Sequence, residues 1–312
     1  MRTTVERFGI LAITVSVCGL VAPLGRQLRA QQPATTPDAY WTSVEDVLGK
    51  KGAMQPGGGG VIKFGFPRSD LTVTVRGVTL KPAFALGGWV AFKKIAKGLS
   101  MVMGDLVLTE DEVNPVMRTL QAGGVEQTAL HNHVLGESPR VMYMHIAAHG
   151  DPTKIAGAIR DALAQSKTPM GAAAPPSAPS AADLDTAGIA KALGVAGQLN
   201  GVVYQVNVPR REKILDMGHE VPPSMGVATA INFQPTGGGK AAITGDFVMR
   251  ANEVNAVIRA LKAHGIDVAA LHSHMLAEEP RLFFMHFWAN DDAVTLAKGL
   301  RAALDQTRSK RP

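Results

Sequence analysis

Apolar and polar residues alternate with a period of two over 61–66 and 71–75, which predicts half-buried strands. The apolar stretches 89–95 and 101–108 predict two more strands, joined at Lys97-Gly98. Upstream, 41–50 sets Val44, Val47 and Leu48 on one side of a short helix. At Thr109 the period becomes helical, with Val113, Val116, Met117 and Leu120 as the buried stripe. Thr109-Glu110-Asp111-Glu112 reads as a capping box in which the Glu112 carboxylate reaches back to the helix start. Gly123-Gly124 ends that helix. A hairpin is predicted next: strand 127–133, turn 134–139, strand 140–147. A closing helix starts at Asp151-Pro152 and runs to Ala164.

Residues 166–182 have no periodicity and are rich in Pro, Ala and Ser, as a linker is. After them the same order resumes. Helix 183–193, strand 201–208, strands 225–233 and 240–249 around Gly237-Gly238-Gly239, helix 253–264, a second hairpin and helix 292–304 follow in turn. The halves align without a gap from Pro82/Pro223 to Asp151/Asp292, at an offset of 141 residues. One residue of slippage upstream aligns Pro67-Arg68 with Pro209-Arg210. The expected fold class is therefore α+β: two tandem copies of a mixed strand/helix unit, at 41–165 and 183–307, forming a pseudo-twofold two-lobe protein. It resembles a homodimer fused into one chain rather than a short-period solenoid.

Composition changes the address more than the fold. Of 312 residues, 46% are hydrophobic and 5% aromatic, which suits globular domains with real cores. Residues 1–30 have the layout of a signal peptide: Arg2 and Arg7, an apolar run over 8–21, and Leu28-Arg29-Ala30 as a cleavage site. A flexible leader, 31–40, follows. The apolar run falls short of the roughly 20 residues that span a bilayer, so no transmembrane span is expected in the mature chain. Cys18 is the single cysteine, and in Val15-Ser16-Val17-Cys18 a Val stands directly before it where a lipoprotein signal needs a small residue, which disfavours lipid attachment. The expected location is exported, periplasmic or extracellular. Without residues 1–30 no disulfide or thiolate chemistry is available. The formal charge of +6 includes four Arg and one Glu of that segment, so the mature chain carries +3. The only basic cluster, 308–311, reads as a solvated tail. Nucleic acid is not an expected partner; a small molecule or an envelope component is.

The chemistry concentrates in the two hairpins. Residues 129–146 read ALHNHVLGESPRVMYMHI and residues 270–287 read ALHSHMLAEEPRLFFMHF. On a strand, residues two apart share a face, so His131 and His133 project together, as do His272 and His274. With the turn centred near Glu137, His145 is expected across from His131, and His286 across from His272, at cross-strand distances of ~5 Å. Glu137 or Glu278 would add a carboxylate, as ligand or as base. Three imidazoles and a carboxylate suit a divalent transition metal: Zn, Mn, Fe, Ni or Cu. Arg140 and Arg281 can clamp an anion or pair with a nearby carboxylate. Asp105 and Asp246, each after Gly, can accept from a ligand imidazole or simply shape a bulge. Met144 and Met285 fall on the opposite, core face. Against this stands the reading that the histidines are structural. The other three histidines, His149, His219 and His264, have no counterpart in the other half, while the six hairpin histidines do.

The doubled pattern Leu-His-x-His-x-Leu-x-Glu-x-Pro-Arg followed by Met-His resembles the LppY/LpqO-like family of bacterial lipoproteins. That resemblance spans most of 40–305. It implies an exported protein with two tandem copies of a domain of unknown function, and no established reaction. The readings open from the residues are a metal-dependent hydrolase or oxidase, a non-enzymatic metal- or ligand-binding envelope protein, and a structural duplication with buried histidines.

Overall fold

The computed structural model describes residues 39–57, 59–171 and 183–310. The expected signal peptide, the leader up to residue 38 and linker residues 172–182 lie outside the described residues. In the first half the order is α1 (Ala39–Leu48), β1 (Ala53–Met54), β2 (Val61–Pro67), β3 (Thr74–Val75), β4 (Val78–Thr79), α2 (Pro82–Ala85), β5 (Gly87–Ala96), β6 (Leu99–Thr109), α3 (Glu110–Ala122), β7 (Glu126–His131), β8 (Glu137–Ser138), β9 (Val141–Gly150) and α4 (Pro152–Leu163). The second half repeats it: α5 (Thr186–Leu193), β10 (Gln198–Asn200), β11 (Val203–Pro209), β12 (Leu215–Asp216), β13 (His219–Glu220), a 3-10 turn (Pro223–Met225), β14 (Ala228–Gly237), β15 (Lys240–Met249), α6 (Ala251–Ala263), β16 (Asp267–His272), β17 (Glu278–Glu279), β18 (Phe283–Asp292) and α7 (Ala293–Leu304).

Each half builds a six-stranded antiparallel sheet with the same strand order, β1-β2-β5-β6-β9-β7 and β10-β11-β14-β15-β18-β16. Helices cover one face of each sheet. In the first half Trp41, Val44 and Leu48 of α1, Val116 and Leu120 of α3, and Ile155 and Ile159 of α4 pack on Phe64, Phe92, Leu106 and Met144. The second half repeats this core with Phe233, Phe247 and Met285. Burying each such Leu, Ile or Phe contributes ~1.5–3 kcal/mol. The other faces of the two sheets meet. Ala91, Met101 and Met103 pack with Val248, Leu282 and Phe284 of the other half, and Val107 and Tyr143 with Ala242 and Trp288. The layers therefore run helices, sheet, sheet, helices, with a pseudo-twofold between the sheets.

Each half also sends an arm over the other's sheet. The β3–α2 arm is tied to the second sheet by Gln205 Nε2 donating to Ala83 O at 2.9 Å and Gln234 Oε1 accepting from Lys81 N at 2.8 Å. The β12–β13 arm places Ile214, Val221 and Met225 against Val61 and Met101 of the first sheet. This exchange fastens the halves to one another through both arms.

The repeated Pro-Arg steps receive their explanation here. Arg68, fully buried, donates to Glu112 at 2.6 Å and to Val107 O at 2.9 Å. Arg210 repeats this with Glu253 at 2.7 Å and Val248 O at 2.8 Å. Glu112 Oε2 also accepts from Thr109 N at 2.9 Å, the capping contact read from the sequence. Each carboxylate thus fastens the start of a helix to the middle of the sheet beneath it.

Some predicted boundaries shift. Only Thr74–Val75 of 71–75 is strand, because the chain there turns out of the main sheet into the arm. Residues 225–227 belong to a turn, and that strand starts at Ala228.

Candidate metal centre

The hairpin strands sit at one edge of each sheet, β7 beside β9 and β16 beside β18. Their cross-strand register corrects the expectation from spacing. His145 pairs with Ala129, and His131 with Tyr143; His286 pairs with Ala270, and His272 with Phe284. The ladder runs unbroken from Ala129–His145 to His131–Tyr143, and a bulge lies only beyond it, between Gln127 and Ala129, matched between Val268 and Ala270; the turn end, where β8 and β17 lie, therefore sets this register. The three histidines of one hairpin are therefore diagonal neighbours.

What completes the group is the other half. The His131 and His272 rings stack at a centroid distance of 3.7 Å across the pseudo-twofold. His133 lies 3.9 Å from His286 and, in the equivalent place, His145 lies 3.8 Å from His274. All six hairpin histidines form one cluster between the sheets. Tyr143 stacks on His133 at 3.3 Å and Phe284 on His274 at 3.5 Å. Spacing gave no hint of this stacking, although an aromatic residue stands at that position in both copies.

Asp105 pairs with His145 across the sheet, and Asp246 with His286. These carboxylates, rather than the turn glutamates, meet the imidazoles. Asp246 Oδ2 lies 2.8 Å from His274 Nε2, and Asp105 Oδ2 lies 3.4 Å from His133 Nε2. Neither contact has hydrogen-bond geometry, since both Nε2 atoms are buried without a hydrogen-bond partner. The same holds for Nε2 of His131, His145 and His286, for both ring nitrogens of His272, and for Oδ1 of Asp105 and Asp246. On the far side of the ring, His286 Nδ1 lies 2.7 Å from Gly245 O and His274 Nδ1 lies 3.0 Å from Gly226 O. A proton on Nδ1, shared with a backbone carbonyl, leaves an Nε2 lone pair free, which is the tautomer a metal ligand needs.

Three groups have ligand atoms within 4.8 Å of one another: His131–His133–His286, His131–His145–His272 and Asp246–His272–His274. The first and third share no residue. Small side-chain movements would bring either to the ~2.0–2.2 Å bonds of a zinc-like ion. Burial pushes His133, His145 and His286 well below their usual 6.5, and His274 down to about 3. Burial also lowers His272, and His286 and His274 beside it lower it further. Neutral imidazoles are the metal-binding form. Burial raises Asp246 to about 6, against the pull of His286 and His131.

The remaining sequence candidates sit elsewhere. Glu278 is buried, accepts from Leu282 N at 2.8 Å and pairs with Arg281 at 3.1 Å. Glu137 occupies the equivalent strand, paired with Val75, and its Oε1 is buried without a partner. Arg140 is exposed, 3.6 Å from Glu110. None of these four belongs to a group of converging ligand atoms.

The family model described as Domain of Unknown Function (DUF1259) matches residues 42–165 and again 187–306. The chain belongs to that family, in two tandem copies. No curated protein matches. Among solved structures, the trimeric bacterial microcompartment shell protein PduB is 12% identical, covering 78% of this chain and 86% of its own, with a TM-score of 0.18. EtuB from Clostridium kluyveri is 10% identical, covering 80% and 90%, with a TM-score of 0.19. The double-ringed trimeric shell protein MSM0271 from the RMM microcompartment is 10% identical, covering 66% and 82%, with a TM-score of 0.20. Scores this low inform neither the fold nor the activity.

Proposed function

We propose that this protein binds a divalent transition metal in a single centre shared by its two halves. Its ligands are drawn from His131, His133, His145, His272, His274 and His286 with Asp246 and Asp105. One observation carries the reading: seven imidazole nitrogens and two carboxylate oxygens converge, buried, with no hydrogen-bond partner. Leaving a buried polar atom unsatisfied costs ~1–3 kcal/mol. Nine such atoms would consume a sum comparable to the whole ~5–15 kcal/mol stability of a domain. A cation that takes lone pairs from several of them, one per ring, removes that part of the cost. Mixed nitrogen and oxygen donors favour Zn, Mn, Fe, Ni or Cu over Mg or Ca.

Binding is the activity this enclosure favours, because a structural or storage site is closed by its ligands whereas a catalytic one keeps a position open. A second reading, metal-dependent hydrolysis or oxidation, is favoured by His272, which is only half-buried and has both ring nitrogens unbonded. It could yield its place to a substrate or water, and the bound ion would supply Lewis acidity there. The likeness of the hairpin motif to LppY/LpqO-like proteins, with the signal-like residues 1–30, supports an exported place of action. Elemental analysis of untagged protein, before and after soaking in each candidate metal, tests the reading. Stoichiometric metal is expected; only trace amounts after soaking would sink it.

A further inference from the structure

Outside the central cluster one other imidazole has a buried ring nitrogen that makes no hydrogen bond. His149, near the end of β9, has a fully buried Nε2 that makes no hydrogen bond. It points at Asp216 on the arm of the second half, with Nε2 3.6 Å from Oδ2. That distance is too long for a hydrogen bond and suits two ligands sharing one ion. The Asp216 side chain is 8% exposed, and among the described residues His149 is its one ion-pair partner. His219 is paired with Asp216 in the β12–β13 turn, and its ring lies 6.4 Å from that of His149 with the planes 28° apart.

A second carboxylate stands beside Asp216. Asp216 is paired across strands with the buried Glu278. Its carboxyl is raised by burial and by Glu126, with His149 and His219 pulling the other way. Pseudo-symmetry isolates the feature further. The same place in the other half carries Val75 for Asp216, Val78 for His219 and Asn290 for His149. An apolar arm therefore suffices to hold the halves together, and the polar trio serves something else.

We propose that His149, Asp216 and His219 form a second, peripheral site for a borderline divalent metal such as Zn(II), which ties the β12–β13 arm to the first sheet. Two imidazoles and a carboxylate are a zinc-like donor set. Closing it needs only a turn of the His219 side chain, on a two-residue hairpin, toward the other two. The site stands apart from the central cluster and does not depend on metal binding there.

The test compares the full-length chain with His149→Asn/His219→Val, which installs the residues of the other half, and with Asp216→Asn, which keeps the shape. Zinc content after equilibrium dialysis and hydrogen exchange of residues 210–222 with and without zinc are measured. The wild type is expected to hold one more equivalent of zinc than either variant. Zinc-dependent protection of the arm is expected in the wild type alone. Equal zinc content in wild type and variants, or equal zinc-dependent protection, would overturn the proposal whatever the central cluster binds.

Discussion

His131 and His272, the same position of the two repeats, stack on each other at 3.7 Å. A pair on the pseudo-twofold belongs to both halves at once, so the two hairpins share one cluster. His272→Ala alone is therefore expected to remove metal from ligands of both halves. Metal content by mass spectrometry should fall well below half of wild type. Retention of half would mean two independent hairpin sites.

The same burial that frees the ring nitrogens makes metal-free protein acid-sensitive. Folded His274 stays neutral down to about pH 3, while its ordinary value is 6.5. Between these values the unfolded chain binds the extra proton. Stability is therefore complete above 6.5 and lost as pH falls, by up to ~1.4 kcal/mol per pH unit for each such group. His133, His145, His272 and His286 shift in the same direction. Asp246, raised from 3.8 to about 6, acts oppositely within that window. Five imidazoles outweigh one carboxylate, so denaturant midpoints of metal-free protein should drop from pH 7 to pH 5. A flat profile would contradict the neutral cluster.

Carboxylate roles separate by substitution. Asp246→Asn removes an anion beside His274 and should weaken metal binding by ~10–100-fold. Glu278→Gln strips a buried partner from Arg281 and Leu282 N. It should cost ~1–3 kcal/mol of stability and leave metal affinity unchanged in a competition titration. The reverse pattern would return the turn glutamates to the ligand set.

Gly245 holds its neighbour in place by having no side chain. A Cβ there would lie 2.0 Å from Ala230 O, and the Gly245 carbonyl faces His286 Nδ1. Gly245→Ala should cost ~1–3 kcal/mol and lower metal content together with stability. Gly124→Ala, which meets nothing within 4 Å but has a φ of +73°, should cost stability alone.

The repeat, the helix stripes and the six histidines were legible in the chain because each depends on local periodicity or on a comparison of one half with the other. Thr109–Glu112 announced a helix start for the same reason. The pairing of His131 with Tyr143 was not legible. The register depends on where the turn is centred, and moving that centre by one residue moves every cross-strand partner by two without changing composition. The chain offered Asp105 and Asp246, on β6 and β15, as acceptors for an imidazole, but not that they rather than Glu137 and Glu278 would be the carboxylates beside the rings. Adjacency between strands is a long-range outcome of sheet order. The sequence by itself determined which side chains this protein duplicates and which face of each strand carries them. Only the packing of two sheets face to face decided that the hairpins share one site, because contact across a pseudo-twofold comes from burying both apolar faces at once.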